Sequence, residues 1–335
     1  MRTKSVRFGF GVLMLWLTSG CSIYKIAGDA VSDYAVADLG PYILSTEDVE
    51  MGCQTGQALG NLLLSFDRVG SNTDLPGVVT LFAAGLCAEL QANEAELGYH
   101  RALFGKKPTD AMDARIVEQR AHAVAASRYA RAWEHMVRVF GEPKDEQCPE
   151  LGEDERLFYL VGLAAGVQAI LHDRASGGQV GMDMSVLSKV ARATQCVDDN
   201  EFWQIPSGFR FALYASVPGS GPADIDPVAK LRDASKQGEV LGVNMGWALL
   251  AQTGRGIGQP ELVKEAIAAA AARTASVDTP ALAKLLDKYA LGMLTHFSDV
   301  QWTEDRGHRT PVGSFGTFYQ AAPVVEEDED LLDGL

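Results

Sequence analysis

Basic residues are scarce in this 335-residue sequence. Only 29 lysines and arginines stand against 44 aspartates and glutamates, and the formal net charge is -15. Binding to a nucleic-acid backbone needs clustered lysine and arginine, and attraction to anionic lipid headgroups needs a basic surface. The composition therefore argues against nucleic acid as a partner and against extended electrostatic contact with a membrane surface.

The sequence also lacks a long apolar run. The apolar segment 8–17 is too short to cross a membrane comfortably, and no later segment approaches eighteen uninterrupted apolar residues. Three basic residues precede this segment and small residues follow it, which is the layout of a secretory signal. We therefore expect a signal peptide over residues 1–20 and a mature chain that does not span the membrane.

The sequence Leu17-Thr-Ser-Gly-Cys21 matches the pattern of a bacterial lipobox, in which the cysteine sulfur receives a diacylglycerol. The alternative is an ordinary signal peptide with a cysteine there by chance. The pattern predicts lipidation of Cys21 and a chain anchored to the bacterial envelope, facing the periplasm. Ser22 is not the aspartate that would retain the lipoprotein in the inner membrane, which favours the outer membrane.

Motifs for catalysis and for metal binding are absent. The six histidines form no HExxH or other closely spaced pair of ligands, and no phosphate-binding loop or nucleophile elbow is present. We therefore predict a non-enzymatic protein with no metal and no other cofactor. A hydrolase that uses carboxylates from distant segments is the competing reading, and paired acids with raised pKa values in a cleft would favour it.

Four cysteines remain after Cys21, and an even number in an oxidising compartment predicts disulfides with three connectivities. Cys53 and Cys87 lie almost symmetrically about a turn near residue 70, so two antiparallel helices place them side by side. Cys148 precedes one helix, and Cys196 ends the helix that returns along it. We therefore predict the pairs 53–87 and 148–196, with four buried free thiols as the alternative.

Apolar residues recur at spacings of three and four through most of the chain, and no run alternates as a β-strand would. The predicted helices cover residues 45–68, 75–103, 109–141, 153–174, 184–196, 207–217, 227–253, 259–275 and 279–297. Their short connections make neighbours antiparallel. The predicted fold is all-α, an array of antiparallel helical hairpins that forms either a degenerate tetratricopeptide-like solenoid or a bundle.

This pattern also divides the chain. We expect a lipidated N-terminal spacer over 21–44, a helical domain over 45–300, and a polar, acidic C-terminal tail over 301–335 that is disordered. The tail either keeps the protein soluble or docks on a basic partner. Within the helical domain, Gly162 and Gly166 occupy a helix that is apolar nearly all round, and they should let neighbouring helices approach closely.

A group of aromatic residues offers candidates for ligand binding, although ordinary core packing would account for the same residues. The candidates are Phe158, Tyr159, Phe202, Trp203, Tyr214 and Trp247. A continuous apolar cavity lined by such residues would favour a transport function, and a filled core would favour a structural one.

Several features follow one another in the order of a known family. They are a Gly-Cys-Ser-Ile lipobox at 20–23, an acidic helix start near 47, an alanine-rich segment at 81–86, an arginine-containing helix at 128–133, and apolar segments at 157–166 and 211–216. Over about residues 21–300 the chain resembles the periplasmic lipoprotein T component of tripartite ATP-independent periplasmic (TRAP) transporters. It departs from that family in its cysteine pairs and in its acidic tail.

The resemblance implies tetratricopeptide-like hairpins, a homotrimer with a central pore, and association with the periplasmic solute-binding protein of the transporter. It implies no enzymatic activity. We therefore expect a helical adaptor that binds a solute-binding protein or a hydrophobic small ligand within a TRAP-type transport system. The alternative is a scaffolding lipoprotein of an envelope complex that binds no small molecule.

Overall fold

The computed structural model describes residues 19–144, 147–273 and 278–319, with the backbone alone for residues 19–22. Within this part of the chain the protein is all-helical and contains no β-strand, which confirms the predicted class. The α-helices are α1 (Ser19–Tyr34), α2 (Gly40–Leu44), α3 (Val49–Ser65), α4 (Asp74–Phe104), α5 (Pro108–Phe140), α6 (Glu155–Ser176), α7 (Ser185–Ala193), α8 (Ile205–Ser216), α9 (Pro227–Val240), α10 (Met245–Gly256), α11 (Pro260–Ala272) and α12 (Lys284–Arg306).

Three long helices form the centre of the N-terminal half. Helix α5 packs against α4 on one side and against α6 on the other, and α3 packs on α4. By length and composition α4 could cross a membrane, but most of its apolar stretch is buried inside the protein. Its apolar character therefore fits its place in the core.

Close packing around α6 depends on glycine, as the sequence predicted. A Cβ atom on Gly162 would lie 2.2 Å from Cγ of Met136, and one on Gly166 would lie 2.5 Å from Cε3 of Trp133. Both distances are too short for any real side chain. The two glycines thus permit α5 and α6 to approach each other, and the rigid indole of Trp133 leaves the second site little room to relax.

Replacing Gly166 by alanine should therefore lower the free energy of unfolding by about 1–3 kcal/mol, because the added methyl group overpacks the core. A control is Gly292 in α12, where an added Cβ atom would have no neighbour within 4 Å. Alanine there should raise stability by about 0.5–1 kcal/mol, since glycine weakens a helix interior. Urea unfolding followed by circular dichroism measures both changes, and effects of the same sign would contradict the packing argument.

The C-terminal half consists of shorter helices that α12 joins to the rest. Helices α8, α9 and α10 pack on one another, and α11 packs on α10. Helix α12 contacts α10 and α11 and also returns to α4 near the start of the domain. The last helix therefore links both halves of the molecule.

The predicted helix over 227–253 is wrong, because two helices, α9 and α10, occupy it. The chain turns between them at Gly242, whose φ of +88° is unfavourable for residues with a side chain. Asp287 accepts hydrogen bonds from the backbone nitrogen of Asn244 (2.7 Å) and from its side-chain amide (2.9 Å). A partner 43 residues away thus stabilises the break, and helical periodicity alone does not reveal it.

Helical structure extends beyond the predicted domain bounds of 45–300 on both sides. The segment expected to be a spacer is helical from Ser19 to Leu44, with a π-helical stretch at Ala35–Leu39, and Ser71 Oγ donates a hydrogen bond to the carbonyl oxygen of Lys25 (3.1 Å). At the other end α12 continues to Arg306, and residues 307–319 fold back on the domain. The acidic segment 326–335 and the side chain of Cys21 lie outside the described residues.

Both predicted disulfides are present. Cys53 and Cys87 join α3 to α4, with Cα atoms 5.3 Å apart. Cys148 and Cys196 join the segment before α6 to the end of the short helix that follows α7, also with Cα atoms 5.3 Å apart. The antiparallel hairpin argument therefore selected the observed connectivity.

Candidate ligand-binding site

An apolar cavity of about 320 Å³ lies beside α6. It extends along that helix from Leu157 to Arg174, a length of about 25 Å at the helical rise of 1.5 Å per residue. Its other walls come from α8, α10 and α12, with Phe82 of α4 and residues of α7 completing it. The volume and the apolar lining fall within the range of small-molecule sites in proteins.

Small side chains help to keep this space open. Ala164 of α6 and Ala212 of α8 are buried and line the cavity, and a larger residue at either position would occupy part of it. Polar groups are few along the walls, and Gln168, Gln252 and Thr253 are among them. The cavity therefore suits a ligand whose body is apolar.

The aromatic residues proposed from the sequence lie elsewhere. Four of them are buried in the core and two are partly buried against it, and none lines the apolar cavity: Phe158, Tyr159, Phe202, Trp203, Tyr214 and Trp247. Trp247 donates its indole N–H to Glu239 (2.8 Å) as it packs. The cavity is lined mainly by aliphatic side chains, together with three other aromatic residues, Phe82, Phe209 and Tyr289.

A second, polar cavity of about 250 Å³ adjoins the first. Gln168, Leu171, Gln252 and Met293 line both. Three glutamates, three histidines and two arginines also line the polar cavity: Glu89, Glu96, Glu118, His122, His172, His296, Arg115 and Arg255. The sequence did not predict this cluster.

Both oxygens of Glu89 have hydrogen-bond partners. Its Oε1 accepts a hydrogen bond from the hydroxyl of Tyr289 (2.7 Å), and its Oε2 accepts one from Tyr129 (2.7 Å) and faces Nε2 of His172 (3.3 Å). Burial raises the pKa of Glu89, but His172 and the two hydroxyls outweigh burial and lower the pKa overall. Burial, together with the charge of Glu89, raises the pKa of both tyrosines well above its ordinary value, so their hydroxyls stay protonated.

Glu96 lies two turns further along α4, on the same face as Glu89. It faces Nε2 of His296 (2.7 Å) and forms a two-point ion pair with Arg255. Burial raises the pKa of Glu96, but its histidine and arginine partners hold it far below the usual range. Both oxygens of this carboxylate are therefore occupied.

Glu118 of α5 has one occupied oxygen and one free oxygen. Its Oε1 accepts a hydrogen bond from Arg115 (2.6 Å) and lies 3.7 Å from Nε2 of His122. Its Oε2 is buried and has no hydrogen-bond partner. Burial raises the pKa of Glu118, but His122 and Arg115 lower it overall, so the group is ionised. The Nδ1 atoms of His122 and His172 lie 2.8 Å apart, which connects Glu118 to Glu89 through two imidazoles.

An open groove of about 1140 Å³ lies on the far side of the polar cavity. Asn93 and His296 line both, and the Cys53–Cys87 disulfide forms part of the groove wall. Groove, polar cavity and apolar cavity thus adjoin one another in that order.

The three carboxylates of the cluster are suited to accept hydrogen bonds and not to act as general acids. A general acid needs a raised pKa, whereas all three carboxylates here have lowered values. Among the described residues, no group of three histidine, cysteine, aspartate or glutamate side chains has the geometry to hold a metal ion. The three carboxylates are therefore ionised hydrogen-bond acceptors, and Glu118 Oε2 is the one oxygen among them without a donor.

Comparisons with protein-family models, with curated proteins and with solved structures find no match for this chain.

Proposed function

We propose that this protein is a lipid-anchored, non-enzymatic protein of the bacterial envelope that holds a hydrophobic small molecule and passes it to a transport system. The apolar cavity beside α6 is the observation that carries this proposal. A preformed cavity binds with little ordering of the protein, which favours affinity for weakly interacting apolar ligands.

The cellular location is proposed from the lipobox pattern and from the disulfides. The lipobox ending at Cys21 supports a lipid anchor, and Ser22 supports the outer membrane. Two disulfides among the described residues support an oxidising compartment such as the periplasm. These features agree with a protein that faces the periplasm from its anchor.

The finer architecture is a degenerate tetratricopeptide-like array closed by its last helix. Successive contacts from α3 to α6, and between α10 and α11, support stacked antiparallel hairpins. The contact of α12 with α4 departs from an open solenoid, in which each repeat touches only its neighbours. By resemblance to TRAP transporter T components, we propose a periplasmic solute-binding protein as partner and a homotrimer as the assembly.

A cavity-filling variant tests the proposal. The full-length protein, purified and analysed by native mass spectrometry, should carry additional mass that is lost on denaturation. Replacing Ala212 by tryptophan fills the cavity and should remove at least nine-tenths of that mass, on the order of a tenfold loss of affinity or more. The matched control is Ala268→Trp on the exposed face of α11, which should keep the ligand.

Two results would contradict this function. If wild-type protein is free of ligand, the envelope scaffold becomes the better reading. If Ala212→Trp retains the full additional mass, the ligand lies outside the apolar cavity. A trimer in the same spectra would support the TRAP-type assembly, and a monomer would count against it.

A further inference from the structure

One buried carboxylate oxygen in the wall of the polar cavity has no hydrogen-bond partner. Both oxygens of Glu89 and both oxygens of Glu96 are engaged by protein groups. In Glu118, by contrast, Arg115 occupies Oε1, while the buried Oε2 accepts no hydrogen bond. A buried carboxylate oxygen without a donor is costly, and a bound group that supplies a donor removes that cost.

The balance of charge in the cavity also favours a cation. Both arginines are already paired, Arg115 with Glu118 and Arg255 with Glu96. The third carboxylate, Glu89, is held by tyrosine hydroxyls and a histidine rather than by an arginine or lysine. Apart from the histidines, the three carboxylates outnumber the two guanidinium groups, and the oxygen without a donor, Glu118 Oε2, would repel a ligand carboxylate.

The apolar cavity indicates the chemistry of the rest of the ligand, beyond its head group. It adjoins the polar cavity through residues of α6, α10 and α12, namely Gln168, Leu171, Gln252 and Met293. A head group at Glu118 would therefore have its tail directed into the apolar space along α6. The open groove shares Asn93 and His296 with the polar cavity, so the head group would lie close to that groove.

We propose that the ligand is a cationic amphiphile, with a protonated amine or similar donor-bearing head at Glu118 Oε2 and an apolar tail in the cavity beside α6. This assignment rests on the proposed function, since it requires the apolar cavity to be a binding site. It adds the chemical class of the ligand and names Glu118 as the residue that recognises its head.

Three probes with the same tail and different head groups test the head-group assignment separately from binding in the apolar cavity. Octylammonium, octanol and octanoate are titrated into full-length protein in nanodiscs, with protein-free nanodiscs as the reference for partition into lipid. Octylammonium should bind about tenfold or more tightly than octanol, because a charge-assisted hydrogen bond replaces a neutral one. Octanoate should bind most weakly.

Variants then locate the head group. Glu118→Gln keeps the shape of the side chain but removes its charge, and it should weaken octylammonium binding about tenfold while changing octanol binding less than about twofold. Retained octanol binding also shows that this variant is folded. The control Glu134→Gln makes the same substitution at an exposed position of α5 and should change neither affinity.

The outcomes are distinguishable. If octanoate or octanol binds as tightly as octylammonium, or if Glu118→Gln leaves octylammonium binding unchanged, the head-group assignment is overturned while the apolar cavity stands as a binding site. If none of the three probes binds above the nanodisc reference, the cavity function and the assignment fall together.

Discussion

Replacement of Glu89 by alanine is expected to lower the free energy of unfolding by about 3–5 kcal/mol. The substitution leaves the buried hydroxyls of Tyr129 and Tyr289 and the ring of His172 without their common acceptor. It also opens space among three helices, α5, α6 and α12, that converge on this carboxylate. Urea unfolding followed by circular dichroism measures the loss.

Glu89→Gln is the matched comparison and should cost less, because a glutamine side chain fits the same space. Its amide oxygen accepts from one tyrosine, and its amide N–H donates to the other. Since the pKa of Glu89 is lowered in the folded protein, ionised Glu89 contributes stability above the unfolded value of about 4.3. The advantage of wild type over Glu89→Gln should therefore shrink as pH falls through the folded pKa, and an advantage that grows in acid would contradict the argument.

Removal of the Cys148–Cys196 disulfide by serine at both positions should cost about 4 kcal/mol, since the bond closes a loop with a sequence separation of 48. Most of this loss arises in the unfolded chain, which gains freedom when the crosslink is absent. Denaturant unfolding of the variant and of wild type without reductant gives the difference.

The Cys53–Cys87 disulfide provides an internal comparison. Its sequence separation is 34, so the same model predicts a loss only a few tenths of a kcal/mol smaller, about 3.8 kcal/mol. Losses under about 1 kcal/mol for both pairs would mean that the unfolded chain is already restricted without them.

The spacing of apolar residues along the chain predicted much of the fold. Spacings of three and four predicted α3 to α6 closely, and the hairpin geometry placed Cys53 opposite Cys87. The break between α9 and α10 was missed because Gly242 and Asn244 act together with Asp287, a residue of another helix. Periodicity describes one helix at a time and does not report such partners.

The candidate site was missed for the same reason. Its members come from α4, α5, α6, α10 and α12, and the hydrogen bond between Tyr289 and Glu89 spans 200 residues. One local signal was present. Glu89, Asn93 and Glu96 have spacings of four and three, which places three polar groups on one face of a helix that is largely buried.

The aromatic residues named from the sequence do not line the apolar cavity. Tyr159 and Trp247 are buried in filled parts of the core, whereas Phe209 and Tyr289 line the cavity, so an aromatic ring alone does not mark a binding site. Empty space arises where alanine and flexible aliphatic side chains line a wall, as Ala164 and Ala212 do. Nothing in the sequence separates such alanines from those that simply allow helices to pack.

The position of α12 has a consequence for biosynthesis. A ribosome delivers α4 long before α12, so Glu89 emerges 200 residues ahead of Tyr289, and Glu96 the same distance ahead of His296. Until the last helix arrives, these carboxylates have only part of their partners and remain hydrated. A chain that ends before α12 also lacks one wall of the apolar cavity, so the proposed binding site is complete only when the whole domain has been made.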